Sequence, residues 1–399
     1  MLLLNAGFWS GSCSSHLPST ITNRIFELPK EEVEALRRID DIRGNPNYLL
    51  AIESASLPDF GQWYALFHRK GEVVGAAIFQ CSRMYSRVPE DLRAIRKAIS
   101  FFLGKSGIED WSASTITCGD IYGSGIKGFW FEKEISPQLA WFSIIAAART
   151  IVKKRQEKTD FLIIKDFLNF ERPFGKIFRK SRFHVVSTEP VMMLDIHPEW
   201  NNLEDYLASL RTKYRTKANA ALARSSGLQQ RELSVEDCEG AIPDFERLYG
   251  EVWQMAAFRP GKLNGRLFFE LKSHLGPNCR VFGWFLDGEM LAFQLGIRGE
   301  NYLDALYVGF SYEHSRQFAL LPAMLYRFVE IGIEEKVELV RYGRTAAELK
   351  STIGCYPVPT DSLSRHYNPA ANQLLSWAAD RFKPGKEHIH RALKNSRHD

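Results

Sequence analysis

The chain has 399 residues, enough for about two domains of ordinary size. Its 45% hydrophobic and 13% aromatic content is that of packed interiors and argues against extensive disorder. With 52 Lys and Arg against 47 Asp and Glu, the formal charge of +5 gives no overall field of the kind that marks a protein built around nucleic acid or an anionic surface, so any such partner would meet a local patch.

The opening run MLLLNAGFWSGSCSSHL has no basic residue ahead of its apolar stretch, and Asn5 interrupts it, so it is not read as an export signal. Residues 62–80 form two apolar runs around Lys70-Gly71-Glu72, a hairpin pattern. The stretch LAWFSIIAAARTIV (139–152) contains Arg149 and falls short of the roughly 20 residues a bilayer demands, so it predicts a buried helix and no membrane span. FLIIKDF (161–167) follows as a strand. Residues 181–200, broken at Pro190, read as strand material crossing from one domain to the next.

Across 201–227, Leu203, Tyr206, Leu207, Leu210, Tyr214, Ala218 and Ala221 recur at three and four residues, predicting one helix of about six turns. Arg211, Lys213, Arg215, Lys217 and Arg224 fall off that stripe. Residues 280–309 then give three strand-like runs divided by Asp287-Gly288 and by Gly299-Glu300-Asn301, an antiparallel meander. A helix through LLPAMLYRFVEIGIEEK and a strand at 337–343 follow. Both halves thus run hairpin, helix, strand, as a duplicated α/β unit would. The tail 381–399 is basic and is expected to fray.

The six cysteines form no C-x-x-C pair and no His cluster stands at ligand spacing, so reduced thiols and no metal are expected, in a cytoplasmic protein. G-x-S-x-G, H-E-x-x-H, P-loop and dinucleotide-binding patterns are missing as well. His314, Ser315, Arg316 and Gln317 read as a polar loop between a strand and a helix beginning near Leu321-Pro322, where free amides and Arg316 suit an anion. Further on, RYGRTAAELKSTIG (341–354) reads as a capping box, Thr345 with Glu348, stopped by Gly354. It also follows a strand's carboxyl end, where α/β sheets hold ligands, which would direct Arg344 at a phosphate or carboxylate with Glu348 orienting it.

The run from CRVFGWFLDGEMLAFQLGIRGENYLDALYVG through VELVRYGRTAAELKSTIGCYPVPT resembles the GNAT-superfamily acetyltransferase-like domain of FemAB-like peptidoglycan and polysaccharide biosynthesis proteins. The resemblance implies an α/β fold of tandem GNAT-like domains, each a mixed, mostly antiparallel sheet flanked by helices: an extension over 1–19, a degenerate unit over 20–189, an acyltransferase unit over 190–368 and a basic helix or tail over 369–399. It further implies acetyl-CoA or another acyl-CoA as co-substrate, its pyrophosphate held by the loop from His314 to Ala319 and its pantetheine running between strands 301–309 and 337–343. The family's loop carries glycines where Phe318, Ala319, Leu320 and Leu321 stand here, which obstructs close backbone approach and keeps aminoacyl-tRNA open as donor.

Acyl transfer needs a base and oxyanion donors. Asp304, mid-strand in an apolar run, is the first candidate base and Glu348 the second; Tyr307 and Tyr342 are candidates to protonate the leaving group. No Cys or Ser stands out as a nucleophile, so direct attack in a ternary complex is expected. The acceptor would be an amine or hydroxyl of a small molecule or glycan precursor, such as an envelope sugar. Under the tRNA alternative the basic helix would meet the acceptor stem, and a binding protein that has lost the chemistry is the third reading.

Overall fold

A computed structural model describes residues 16–87, 110–168, 177–256, 258–381 and 388–395. The first half runs β1 (Ser19–Thr22), α1 (Lys30–Leu36), α2 (Pro46–Ser54), β2 (Gly61–Arg69), β3 (Glu72–Arg87), β4 (Asp110–Cys118), β5 (Phe129–Phe131), α3 (Pro137–Arg155), β6 (Phe161–Leu168), α4 (Ile177–Lys180) and β7 (His184–Ser187). The second runs β8 (Val191–Asp195), α5 (Leu203–Ser209), α6 (Thr212–Ser225), β9 (Gln229–Glu232), α7 (Val235–Gly240), α8 (Ile242–Met255), β10 (Phe258–Arg259), α9 (Gly265–Leu275), β11 (Cys279–Leu286), β12 (Glu289–Arg298) and β13 (Tyr302–Phe310). It continues with α10 (Tyr312–Phe318), α11 (Leu320–Glu334), β14 (Leu339–Gly343), α12 (Ala347–Ser351), β15 (Tyr356–Val358), β16 (Thr360–His366) and α13 (Pro369–Arg381).

Local chemistry sets many of these bounds. Lys70-Gly71 and Asp287-Gly288 turn with positive φ at both positions, as two-residue hairpins require. Ser136 caps α3 by accepting from Leu139 N, with Pro137 in the first turn, and the helix stops at Gln156 in the left-handed region. The predicted six-turn helix is two, α5 and α6, broken at Leu210–Arg211. There Leu210 bridges to Leu393, and the tail segment 388–395 docks instead of fraying.

The two sheets share one order. The first is β1-β2-β3-β4-β6-β16-β7, the second β9-β11-β12-β13-β14-β8-β15. In each, antiparallel strands lead to one parallel pair, β4 with β6 and β13 with β14. The strand beyond that pair is β8 in the second sheet, between β14 and β15, and β16 in the first, between β6 and β7, so that a strand of the second half completes the first sheet. Residues 360–366, expected in the second domain, therefore belong to the first sheet.

Apolar faces stack around these sheets. Trp141, Ile144 and Ala148 of α3 cover the outer face of the first sheet. Leu325, Phe328 and Val329 of α11 cover the outer face of the second, with Tyr206, Tyr214 and Ala218 from α5 and α6. Between the sheets, Leu49 and Ile52 of α2, Phe245 of α8 and Phe268 of α9 share one core with Tyr64, Ile78, Phe293 and Leu295 from both sheets. The halves are joined by a continuous interior as well as by the crossing strand β16.

Candidate active site

The second sheet opens at its parallel pair. β13 and β14 are in register only at Tyr302↔Leu339, Leu303↔Val340 and Asp304↔Arg341. Past that point β13 stays with β12 and β14 follows β8, shifting register between Arg341 and Gly343. On β13 a bulge opposite Leu295 and Gly296 leaves Leu306 unmatched in the ladder. A V-shaped gap results, with Asp304 and Arg341 at its apex and the bulge on one wall.

The corresponding gap of the first sheet is filled. β4 pairs with β6 over Thr115–Cys118 and Phe161–Ile164, and the chain then folds back as the glycine-rich stretch 119–128. Lys165 Nζ donates to Asp120 O at 2.7 Å and to Gly123 O, and Asp166 Oδ2 accepts from Gly125 N at 3.0 Å. A Cβ on Gly128 would lie 2.2 Å from Gly119 Cα, so this loop closes only without a side chain there. Four glycines in ten residues are the signal that sequence reasoning passed over.

Asp304 is buried at the apex and both its oxygens are occupied. Arg341 donates from Nε to Oδ1 at 2.6 Å and from Nη2 to Oδ2 at 3.0 Å, and Arg43 Nη2 donates to Oδ2 at 2.7 Å. Arg43, whose side chain is 3% exposed, also lies 2.9 Å from Asp120 Oδ2 by Nε, an ion pair without hydrogen-bond alignment. Tyr48 donates to that same oxygen at 2.8 Å. Burial opposes the charge on Arg43, but Tyr48 and the carboxylates of Asp304, Asp120 and Asp40 outweigh it and hold the guanidinium charged. The Arg341 guanidinium lies 3.4 Å from the Tyr302 ring centroid, and the Tyr302 hydroxyl donates to Asp40 and Asp41. The expected base is thus the centre of an ion-pair network that crosses between the halves, accepting three hydrogen bonds from two guanidiniums.

The other candidates are dispersed. Tyr307 is buried with its hydroxyl unpartnered among the described residues, and Tyr342 donates to Leu325 O at 2.8 Å. Burial raises both hydroxyls well above the usual tyrosine range, which opposes a role as proton donor. His314, Ser315, Arg316 and Gln317 lie on the helix α10 and not in a loop, with His314 Nδ1 3.0 Å from Ser311 Oγ and Arg316 exposed. Ala319, left-handed at φ 49°, joins α10 to α11 and is buried.

At the end of β14 the expected capping box is replaced. Thr345 and Ala346 are both left-handed, whereas a capping residue needs extended φ, and Thr345 N donates to Glu189 Oε2 at 3.1 Å. Glu348 is 61% exposed and 3.3 Å from His390 Nε2, so it does not orient Arg344. Arg344 instead binds Asp166, Thr360 Oγ1 at 2.9 Å, Ser124 Oγ at 3.2 Å and Glu189 O at 3.0 Å. Lys350 is buried and donates to Tyr342 O and Arg344 O at 2.7 and 2.6 Å. Arg344, and Arg341 through Asp40 at 4.0 Å, thus tie this segment to the first half, while Lys350 closes the turn after β14 from within its own half.

Residues 208–351 match the family model described as an acetyltransferase (GNAT) domain. No curated protein matches the chain in sequence. Among solved structures it is similar to the crystal structure of FemX, at TM-score 0.52 and 14% identity over 90% of this chain and 100% of that one. It is also similar to a tandem GNAT protein from the clavulanic acid biosynthesis pathway, solved without AcCoA, at TM-score 0.52 and 14% identity over 89% and 99%. At these identities the likeness establishes the fold: two GNAT-type units in the FemAB-like arrangement, as the resemblance implied.

Proposed function

We propose that the protein is an acyltransferase that moves an acyl group from acyl-CoA to an amine or hydroxyl, using the V between β13 and β14. The observation that carries this reading is the parallel ladder that ends at Asp304 and Arg341 beside the bulge at Leu306. A gap at that point can take an extended thioester arm between two strands, and the N–H of an unmatched residue is available to an oxyanion. The acceptor attacks the thioester carbonyl, the C–S bond breaks on collapse of the tetrahedral intermediate, and the thiolate leaves with CoA. With both oxygens of Asp304 held by Arg43 and Arg341, its part is to fix the apex; the proton acceptor then falls to Glu348, exposed beside His390. Arg316, with His314, Ser315 and Gln317 on α10 and Ala319 behind it, lies at the donor-phosphate end, and Arg344 steadies the far strand.

Thermal-shift titration of nucleic-acid-free protein with CoA and acetyl-CoA tests the reading, since a ligand of the folded state raises Tm with concentration. A rise that Arg316→Ala abolishes supports it. An unchanged Tm at millimolar CoA refutes it and favours aminoacyl-tRNA as donor. The second reading has one specific support: α10 is helical and bears Phe318 where a glycine loop would wrap a pyrophosphate. The acceptor, an envelope-sugar precursor under the first reading, is a proposal from resemblance alone.

A further inference from the structure

The net charge of the chain is concentrated in one place. Residues 206–231 contain Arg211, Lys213, Arg215, Lys217, Arg224 and Arg231 and no Asp or Glu, so the remaining chain, with 46 Lys and Arg against 47 acids, is balanced. Five of these six cations lie on α6 or at its N-terminal boundary. The helix turns Tyr214, Ala218, Ala221 and Ser225 inward, and at 100° per residue Lys213, Lys217 and Arg224 fall on one flank of that buried stripe, Arg211 and Arg215 on the other. The crest between them is small and exposed: Thr212, Thr216, Asn219, Ala220 and Ala223. Among the described residues no carboxylate stands within ion-pair distance of Lys213, Arg215 or Lys217.

A second basic element meets the first. The segment 388–395 lies along the start of α6, with Arg211 N donating to Ala392 O at 2.8 Å, Lys394 N to Ser209 O at 3.0 Å and Lys394 Nζ to Ala208 O at 2.7 Å. It brings Arg391 and Lys394 to the Arg211 flank.

We propose that this face docks the protein on an anionic membrane surface. Clusters of four to eight cations on one helix are the pattern that phosphate-bearing lipid headgroups attract. The shape favours a plane over a rod: cations on both flanks of a convex crest all reach a flat layer of headgroups with their long side chains, whereas one nucleic-acid strand touches a single row. These elements also expose no Phe, Tyr or Trp for base stacking, since Tyr206 and Tyr214 are buried. The proposed contact is a peripheral one, made by exposed cations of α6 and of the segment 388–395; no helix of the described residues is long and apolar enough to cross a membrane.

Flotation of the full chain with vesicles of phosphatidylcholine containing about 30% phosphatidylglycerol, beside pure phosphatidylcholine vesicles, tests this. The acidic vesicles carry the protein upward and the neutral ones do not, and about 0.5 M NaCl releases it because the attraction is screened. The exposed-site variant Lys213→Glu/Lys217→Glu, with an unchanged Tm as proof of folding, loses binding by about tenfold or more. The proposal is overturned if that variant floats like the wild type. It is overturned equally if a tRNA-sized RNA binds at the same salt while the acidic vesicles do not.

Discussion

Replacing Asp304 with Asn separates the two roles that the sequence and the structure give this residue. The carboxylate accepts from Arg43 and from both donors of Arg341 in an almost dry interior, so the amide leaves two buried guanidiniums short of a counter-charge. Breaking one partner of such a buried network costs about 3–5 kcal/mol. For 399 residues at about 2.1 cal/mol/K each, the unfolding entropy is about 0.8 kcal/mol per kelvin, so Tm falls by roughly 4–6 °C. The crossing strand β16 and the shared core keep the transition single, and differential scanning calorimetry reads both features. Combining Asp304→Asn with Arg43→Met gives a loss smaller than the sum by more than about 1 kcal/mol, as residues of one network do. A Tm within about 1 °C of wild type, with acyl transfer abolished, would refute the structural account and return Asp304 to the role of catalytic base.

Acid stability and thiol chemistry give two further expectations. Burial opposes ionisation of Asp166, but Lys165 and Arg344 outweigh it and hold the carboxyl below its usual range. Its contribution is complete above the unfolded pKa of about 3.9 and disappears as pH falls through the lower folded value, so Tm drops steeply below about pH 4. Asp166→Asn lowers Tm at neutral pH and flattens that acid limb; an acid limb identical to wild type would contradict the assignment. Burial raises the Cys81 thiol to about 11 and Cys238 to about 12, and pushes Cys118, Cys279 and Cys355 higher still. None of these five reacts with an aromatic disulfide reagent at pH 8 until denaturant is added, and fast release of more than one equivalent from native protein sinks the reading, Cys13 lying outside the described residues.

What the sequence discloses here is the chemistry that acts over a few residues. Lys70-Gly71 and Asp287-Gly288 force their hairpins by backbone φ, and the β11–β13 meander follows with its register. The stripe from Tyr206 to Ala221 is buried as its spacing requires, although the helix breaks where the distant Leu393 bridges to Leu210. Misreadings begin where a partner far along the chain decides. His314 to Gln317 look like a loop because nothing in that polar run shows an inward face, yet Phe318 and Ala319 bury the end of a helix. Thr345 and Glu348 spell a capping box, but Glu189 from the preceding domain takes the Thr345 N–H and Asp166 takes Arg344.

The same distinction explains why Asp304 stands out in the sequence while its partners do not. A carboxylate in an apolar strand is conspicuous, and it does mark the apex of the gap; whether its oxygens face a substrate depends on Arg43, 261 residues away, which no local pattern reveals. The crossing of β16 has the same origin: it carries an ordinary strand sequence, and only the sheet it joins reveals the crossing. The second half thereby lends the first the strand that borders its parallel pair, and Arg43 and Arg344 bind carboxylates across the seam from either side. The first gap is plugged by its own glycine-rich loop, whereas the V of the second sheet stays open beside buried ion pairs that bridge the seam.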